Sequence, residues 1–71
     1  MSEPDPEIEV PYELRAGVWA NHVDVFGDIE EATLDFARLE PRDVSRGVLV
    51  SRVTLSPSGI LALKANLERF T

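Results

Sequence analysis

The sequence contains no cysteine and a single histidine, His22. Disulfide staples, thiolate metal sites and a thiol nucleophile are thereby excluded, and one imidazole cannot build a histidine metal centre within one chain. Basic residues are scarce: seven Lys and Arg stand against thirteen Asp and Glu, a formal charge of −6. Binding to a phosphate backbone needs clustered cations, so no nucleic-acid partner is expected. No apolar run approaches the ~20 residues of a membrane span, and the acidic first residues do not read as a secretory signal. The glycines Gly17, Gly27, Gly47 and Gly59 are isolated, without a phosphate-cradling or dinucleotide fingerprint. What remains is a chain of 71 residues, 44% hydrophobic. That is the composition of a small globular protein, expected in the cytoplasm and without a cofactor.

The charge is uneven. Residues 1–13 carry Glu3, Asp5, Glu7, Glu9 and Glu13, no base, and prolines at 4, 6 and 11. Residues 14–71 hold the other eight acids against all seven bases, a balance of −1. The acidity therefore belongs to an N-terminal arm, 1–13, and the fold to a single domain, 14–71. Such a segment cannot bury enough to order itself, which predicts a loose tail. The alternation of Ile8, Val10 and Tyr12 with glutamates leaves a second reading open, an edge strand added to its own or a neighbour's sheet.

From Gly17 onward the pattern has period two. Residues 18–26 read as a strand with Trp19, Asn21, Val23 and Val25 on one face. Gly27-Asp28 is a turn signal, and residues 31–39 alternate Ala32, Leu34 and Phe36 against Thr33, Asp35 and Ala37. Residues 40–47, with Pro41, Arg42, Asp43, Ser45 and Arg46, read as a polar loop before a third strand at 48–55. Ser56-Pro57 then supplies an N-cap hydroxyl and a proline at the first helical position. Ile60, Leu63, Leu67 and Phe70 follow at helical spacing, with Lys64, Asn66, Glu68 and Arg69 mainly opposite. The expected fold is α+β: an antiparallel sheet of three strands, four if the arm joins, followed by one C-terminal α-helix.

Three strands have two faces, and one helix of about 14 residues covers only one. Trp19, Val23, Val25, Leu49, Val53 and Leu55 are grouped on one side, although a one-residue slip in register would exchange the faces. The apolar surface exceeds what the helix hides. With neither metal nor disulfide to stabilise so small a chain, a homo-oligomer is expected, a two-fold dimer first. Trp19, Phe26, Leu34, Phe36, Val50 and Arg52 are the candidate interaction residues.

Chemistry-bearing constellations are sparse. His22 shares a strand face with Asp24 and offers a general-base reading, without a nucleophile or orienting group beside it. Asp24, Asp28 and Asp35 offer oxygen ligands, but their spacing matches no calcium loop, and no metal is expected. Asp35 and Arg52 fall in strands that can pair, where an ion pair needs no functional role. Arg38, Arg42, Arg46 and Arg52 form the one basic cluster, readable as an anion site or as loop charge interleaved with Glu40 and Asp43.

Four segments taken together resemble a known family. Ala20-Asn21-His22-Val23-Asp24-Val25, Leu34-Asp35-Phe36, Arg52-Val53-Thr54-Leu55-Ser56-Pro57 and the run from Ala62 to Phe70 are similar, in order and spacing, to the DUF3467 family of small bacterial and archaeal proteins. Ser58-Gly59-Ile60-Leu61 departs from its usual alanine- and lysine-containing helix start, and Phe70 stands where a tyrosine is common. The resemblance implies no catalytic residue. The sheet-then-helix order also resembles the subunits of the SecB export chaperone, with the arm in place of a fourth strand; this is a likeness of topology, not of function. Together these readings lead to a non-enzymatic protein-interaction module, an oligomeric adaptor or chaperone-like subunit. The alternatives are a small-ligand protein or enzyme around His22, and a nucleic-acid-linked regulator using the arginines.

Overall fold

Alternating apolar and polar residues produce three strands, paired antiparallel in chain order. In the computed structural model, which describes residues 6–70, these are β1 (His22–Gly27), β2 (Ala32–Glu40) and β3 (Asp43–Leu55), followed by α1 (Pro57–Glu68). The expected α+β class, a three-stranded antiparallel sheet with one C-terminal helix, is what the chain adopts.

Local chemistry sets each boundary. β1 ends on Gly27 at φ 113°, a backbone conformation that a side chain resists. Asp28 then closes the hairpin: its N–H donates to the Glu31 carbonyl at 3.0 Å, and its Oδ1 accepts from the N–H groups of Glu30 and Glu31 at 2.9 and 3.2 Å. At the other end β1 begins at His22, four residues later than the sequence pattern suggests. There the Asn21 side chain takes over from the ladder, its Oδ1 accepting the Leu39 N–H at 2.8 Å, while the Asn21 backbone N–H donates to the Ala37 carbonyl at 3.1 Å.

The segment 40–47, expected as a loop, is mostly strand. Pro41-Arg42 make the turn, Glu40 pairs with Asp43, and β3 runs on from there through an irregular stretch to Gly47 opposite Leu39. The polar composition misleads because β3 is an edge strand, where charged residues stay in water and an irregular register blunts pairing with other chains. The Asp43 carboxylate also holds the start of the strand by accepting from the Ser45 N–H at 3.1 Å.

Helix α1 starts where the Ser56-Pro57 signal places it. The Ser56 Oγ accepts from the Gly59 N–H at 3.3 Å, and Pro57 occupies the first turn. Residues 6–11 belong to no strand, and Tyr12–Leu14 form a single 3₁₀ turn with Arg15 5.8 Å from the Tyr12 ring centre. Among the described residues the arm therefore adds no fourth strand to its own sheet; the acidic residues Glu3 and Asp5 lie outside them.

Very little of this fold is enclosed. Among the described residues only Ala32 and Leu34, both on the central strand, are buried, at 9% and 6% exposure. The radius of gyration is 14.7 Å, with a longest extent of 49 Å. A compact chain of this length would have a radius of gyration of about 11 Å.

Candidate interaction surface

Strand register decides which side chains share a face. Val25, Leu34 and Val53 align in one row, Val23, Phe36 and Ser51 in the next, and Gly27, Ala32 and Leu55 at the hairpin end. Paired residues point to the same side of an antiparallel sheet, so these rows make an apolar face. The alternate rows make the opposite face: Asp24, Asp35 and Arg52; Phe26, Thr33 and Thr54; His22, Ala37 and Leu49.

Leu49 is a correction to the sequence grouping, which set it beside Val53 and Leu55. The pairing steps from Phe36–Ser51 to Ala37–Leu49, and the skipped residue, Val50, forms a bulge. One extra residue inverts the alternation, so Leu49 lies with the polar rows while Val48 moves opposite Arg38.

The apolar face is largely open. Val23 and Val25 on β1 are 49% and 64% exposed, and Val53 on β3 is exposed as well. Helix α1 shields one end of it: Gly59, Ile60 and Leu63 are half-buried, and Ile60 joins Val25 and Ala32 around a concavity of about 240 Å³. Beyond Leu63 the helical stripe is uncovered, with Leu67 and Phe70 exposed. Trp19 is exposed just before β1 and lines a second concavity with Arg38 and Val48.

The six candidate interaction residues do not make one surface. Trp19 and Phe36 belong to the apolar side, Phe26 and Arg52 to the opposite rows, and Val50 sits half-buried in the bulge. Leu34 is the most enclosed of the described residues and presents little area to a partner.

On the polar face, Arg52 grips Asp35 through two hydrogen bonds, Nε to Oδ1 at 2.6 Å and the second guanidinium nitrogen to Oδ2 at 2.7 Å. The Arg52 hydrogen bond, with its positive charge, holds the Asp35 carboxyl below the usual carboxylate range, against a smaller desolvation effect. His22 Nε2 lies 3.3 Å from Asp24 Oδ2, and the Thr33 and Thr54 hydroxyls bond to each other at 2.9 Å. The polar groups are thus bonded to neighbours on their own face. That chemistry supports the strand register. Among the described residues no group of three or more His, Asp or Glu could hold a metal ion. No helix among them is long and apolar enough to cross a membrane.

The arginines are dispersed. Arg38 lies three positions along β2 from Asp35 and hence on the side of the sheet opposite Arg52, while Arg42 is in the turn and Arg46 in the irregular part of β3. Sequence reasoning missed Asn21 as a structural residue. An amide on an otherwise apolar face, with Trp19 and Val23, was the available signal.

No family model, curated protein or solved structure matches the chain. The motifs behind the resemblance to the DUF3467 family nonetheless have definite places: Asn21 ends the β1 ladder, Asp35 and Arg52 form the cross-strand pair, and Ser56-Pro57 caps α1. These are fold-specifying roles.

Proposed function

We propose that this protein is a non-enzymatic protein-interaction module that works as a homo-oligomer, with a two-fold dimer as its basic unit and an adaptor or chaperone-like role. One observation carries the reading: a sheet with an apolar face and an amphipathic helix enclose, among the described residues, only Ala32 and Leu34. A domain normally buries one face of each element against another to hold a single hydrophobic core. Here that enclosure is incomplete within one chain, and a partner is the ordinary means of completing it. The interlocked side chains of the polar face support the same reading, since they serve the sheet rather than a substrate. We extend the proposal to membership of the DUF3467 family, on its motifs alone.

Size-exclusion chromatography with light scattering tests this on the full chain, together with urea unfolding at two chain concentrations. The expected result is a species of at least twice the chain mass and a midpoint that rises with concentration. A monomer that unfolds cooperatively at a concentration-independent midpoint would overturn the proposal. Binding of a hydrophobic dye by the intact oligomer separates the chaperone-like role, which needs apolar surface left open, from a closed scaffold.

A further inference from the structure

Resting on the homo-oligomer reading, we propose which surface the two copies share. The apolar faces of two sheets meet across a two-fold axis, and the end of α1 of each chain, Leu67 and Phe70, is seated on the other's Val23 and Val25.

Area is the first argument. The chain exposes 6775 Å². A folded monomer of its mass exposes about 4,400 Å², so the surplus is about 2,400 Å². The exposed arm accounts for part of it, and the open sheet face and outer half of the helical stripe contribute to the rest. Obligate dimers bury about 1,000–2,500 Å² per partner, so the share of the surplus that the arm does not account for need only reach the low end of that range.

The second argument is that each chain carries both halves of the contact. Val23 and Val25 lie exposed at the β1 side of the face, while the stripe begun by Ile60 and Leu63 continues into the exposed Leu67 and Phe70, Phe70 being 85% exposed. A two-fold interface is self-complementary, so one operation supplies a cover for the sheet and a seat for the helix in both copies. Trp19, toward the far end of the same face, extends the patch with a large aromatic ring of the kind that anchors interfaces.

Charge points to the same occupant. The three rows at the centre of this face, Val23 with Phe36 and Ser51, Val25 with Leu34 and Val53, and Gly27 with Ala32 and Leu55, contain no ionised side chain. Arg38 stands only at the Trp19 end of the face, so nothing at the centre selects a charged partner. Outside the arm the balance is −1, which leaves little repulsion between copies. Pairing of two sheet edges would satisfy backbone groups yet leave this face in water.

The absence of native cysteine makes the test direct. A Val25→Cys/Phe70→Cys variant, oxidised at micromolar concentration, is expected to yield two chains linked, whereas Thr54→Cys/Phe70→Cys, with one thiol on the polar face, is not. In parallel, Val25→Asp is expected to raise the dimer dissociation constant about a hundredfold or more, as an unpaired charge in a closed apolar contact does. A wild-type chain that is monomeric by light scattering overturns the homo-oligomer reading and this placement together. A dimer whose Val25→Cys/Phe70→Cys variant forms no disulfide between chains, and which tolerates Val25→Asp, overturns the placement alone. A link within one chain would mean that the helix closes on its own sheet, which also overturns it.

Discussion

Asp24 stands directly opposite Asp35 in the β1–β2 ladder, and Arg52 occupies the other flank of Asp35 on β3. Two carboxylates facing each other across strands repel, and a bidentate guanidinium is the group best shaped to offset that. The Asp35 carboxyl titrates below its ordinary value, so its contribution to stability is present above the unfolded carboxyl pKa and is lost as pH falls through the folded one. Arg52→Met keeps much of the stem and removes the charge. It is expected to lower the urea midpoint at neutral pH and to flatten the acid limb of the stability profile. An unchanged acid limb would assign acid sensitivity to other carboxylates.

Asn21 replaces a backbone carbonyl just before β1 begins, accepting the Leu39 N–H. Asn21→Ala removes the acceptor and is expected to cost about 0.5–1.5 kcal/mol. At one fixed chain concentration that corresponds to a loss of roughly 4–8 °C in Tm per kcal/mol for a domain of this size. Asn21→Asp keeps the Oδ1 acceptor and should retain most of the stability. Thermal unfolding followed by circular dichroism compares the three, and equal losses for both variants would show that the amide acts in another way.

How far the fold was legible depended on the kind of signal. The α1 start was readable because Ser56 and Pro57 act within one helical turn, and the β1–β2 hairpin because Gly27-Asp28 sits at its corner. The assignment of faces was not readable. It turns on the bulge at Val50, where one unpaired residue moves Leu49 to the polar side, and no local composition announces it. The polar stretch after Glu40 misled for a related reason: edge strands tolerate charge, so hydrophobicity stops reporting strand there. Asp35 and Arg52 were legible as a pair because both occupy strand centres. Trp19 and Phe36 were legible as apolar, but only the register places Phe36 on the open side.

Gly27 and Gly59 should respond to the same substitution with opposite sign. Gly27 has φ 113°, and a Cβ there would clash with the Glu31 carbonyl that closes the hairpin. Gly27→Ala is therefore expected to destabilise by about 1–3 kcal/mol. Gly59 lies in the first turn of α1, where an added Cβ meets Leu55 at 3.4 Å, an ordinary contact. Gly59→Ala is expected to stabilise by up to about 1 kcal/mol through helix propensity. Urea unfolding of the two variants decides both signs.

Deleting residues 1–13 tests whether the acidic arm serves assembly or only solubility. The deletion removes five acids and no base, taking the formal charge from −6 to −1. The described part of the arm adds no strand to its own sheet, and the hydrogen bonds of the turn at residues 11–17 are local. The truncated chain is thus expected to keep its β and helix signals and the oligomeric mass of the full chain. It should lose solubility near neutral pH, because molecules close to zero net charge repel one another least. Light scattering of both forms over a range of concentrations separates the two roles. Loss of the oligomer on truncation would instead make the arm part of the contact, with Ile8 and Val10 adding a strand to the open edge of a neighbour's sheet.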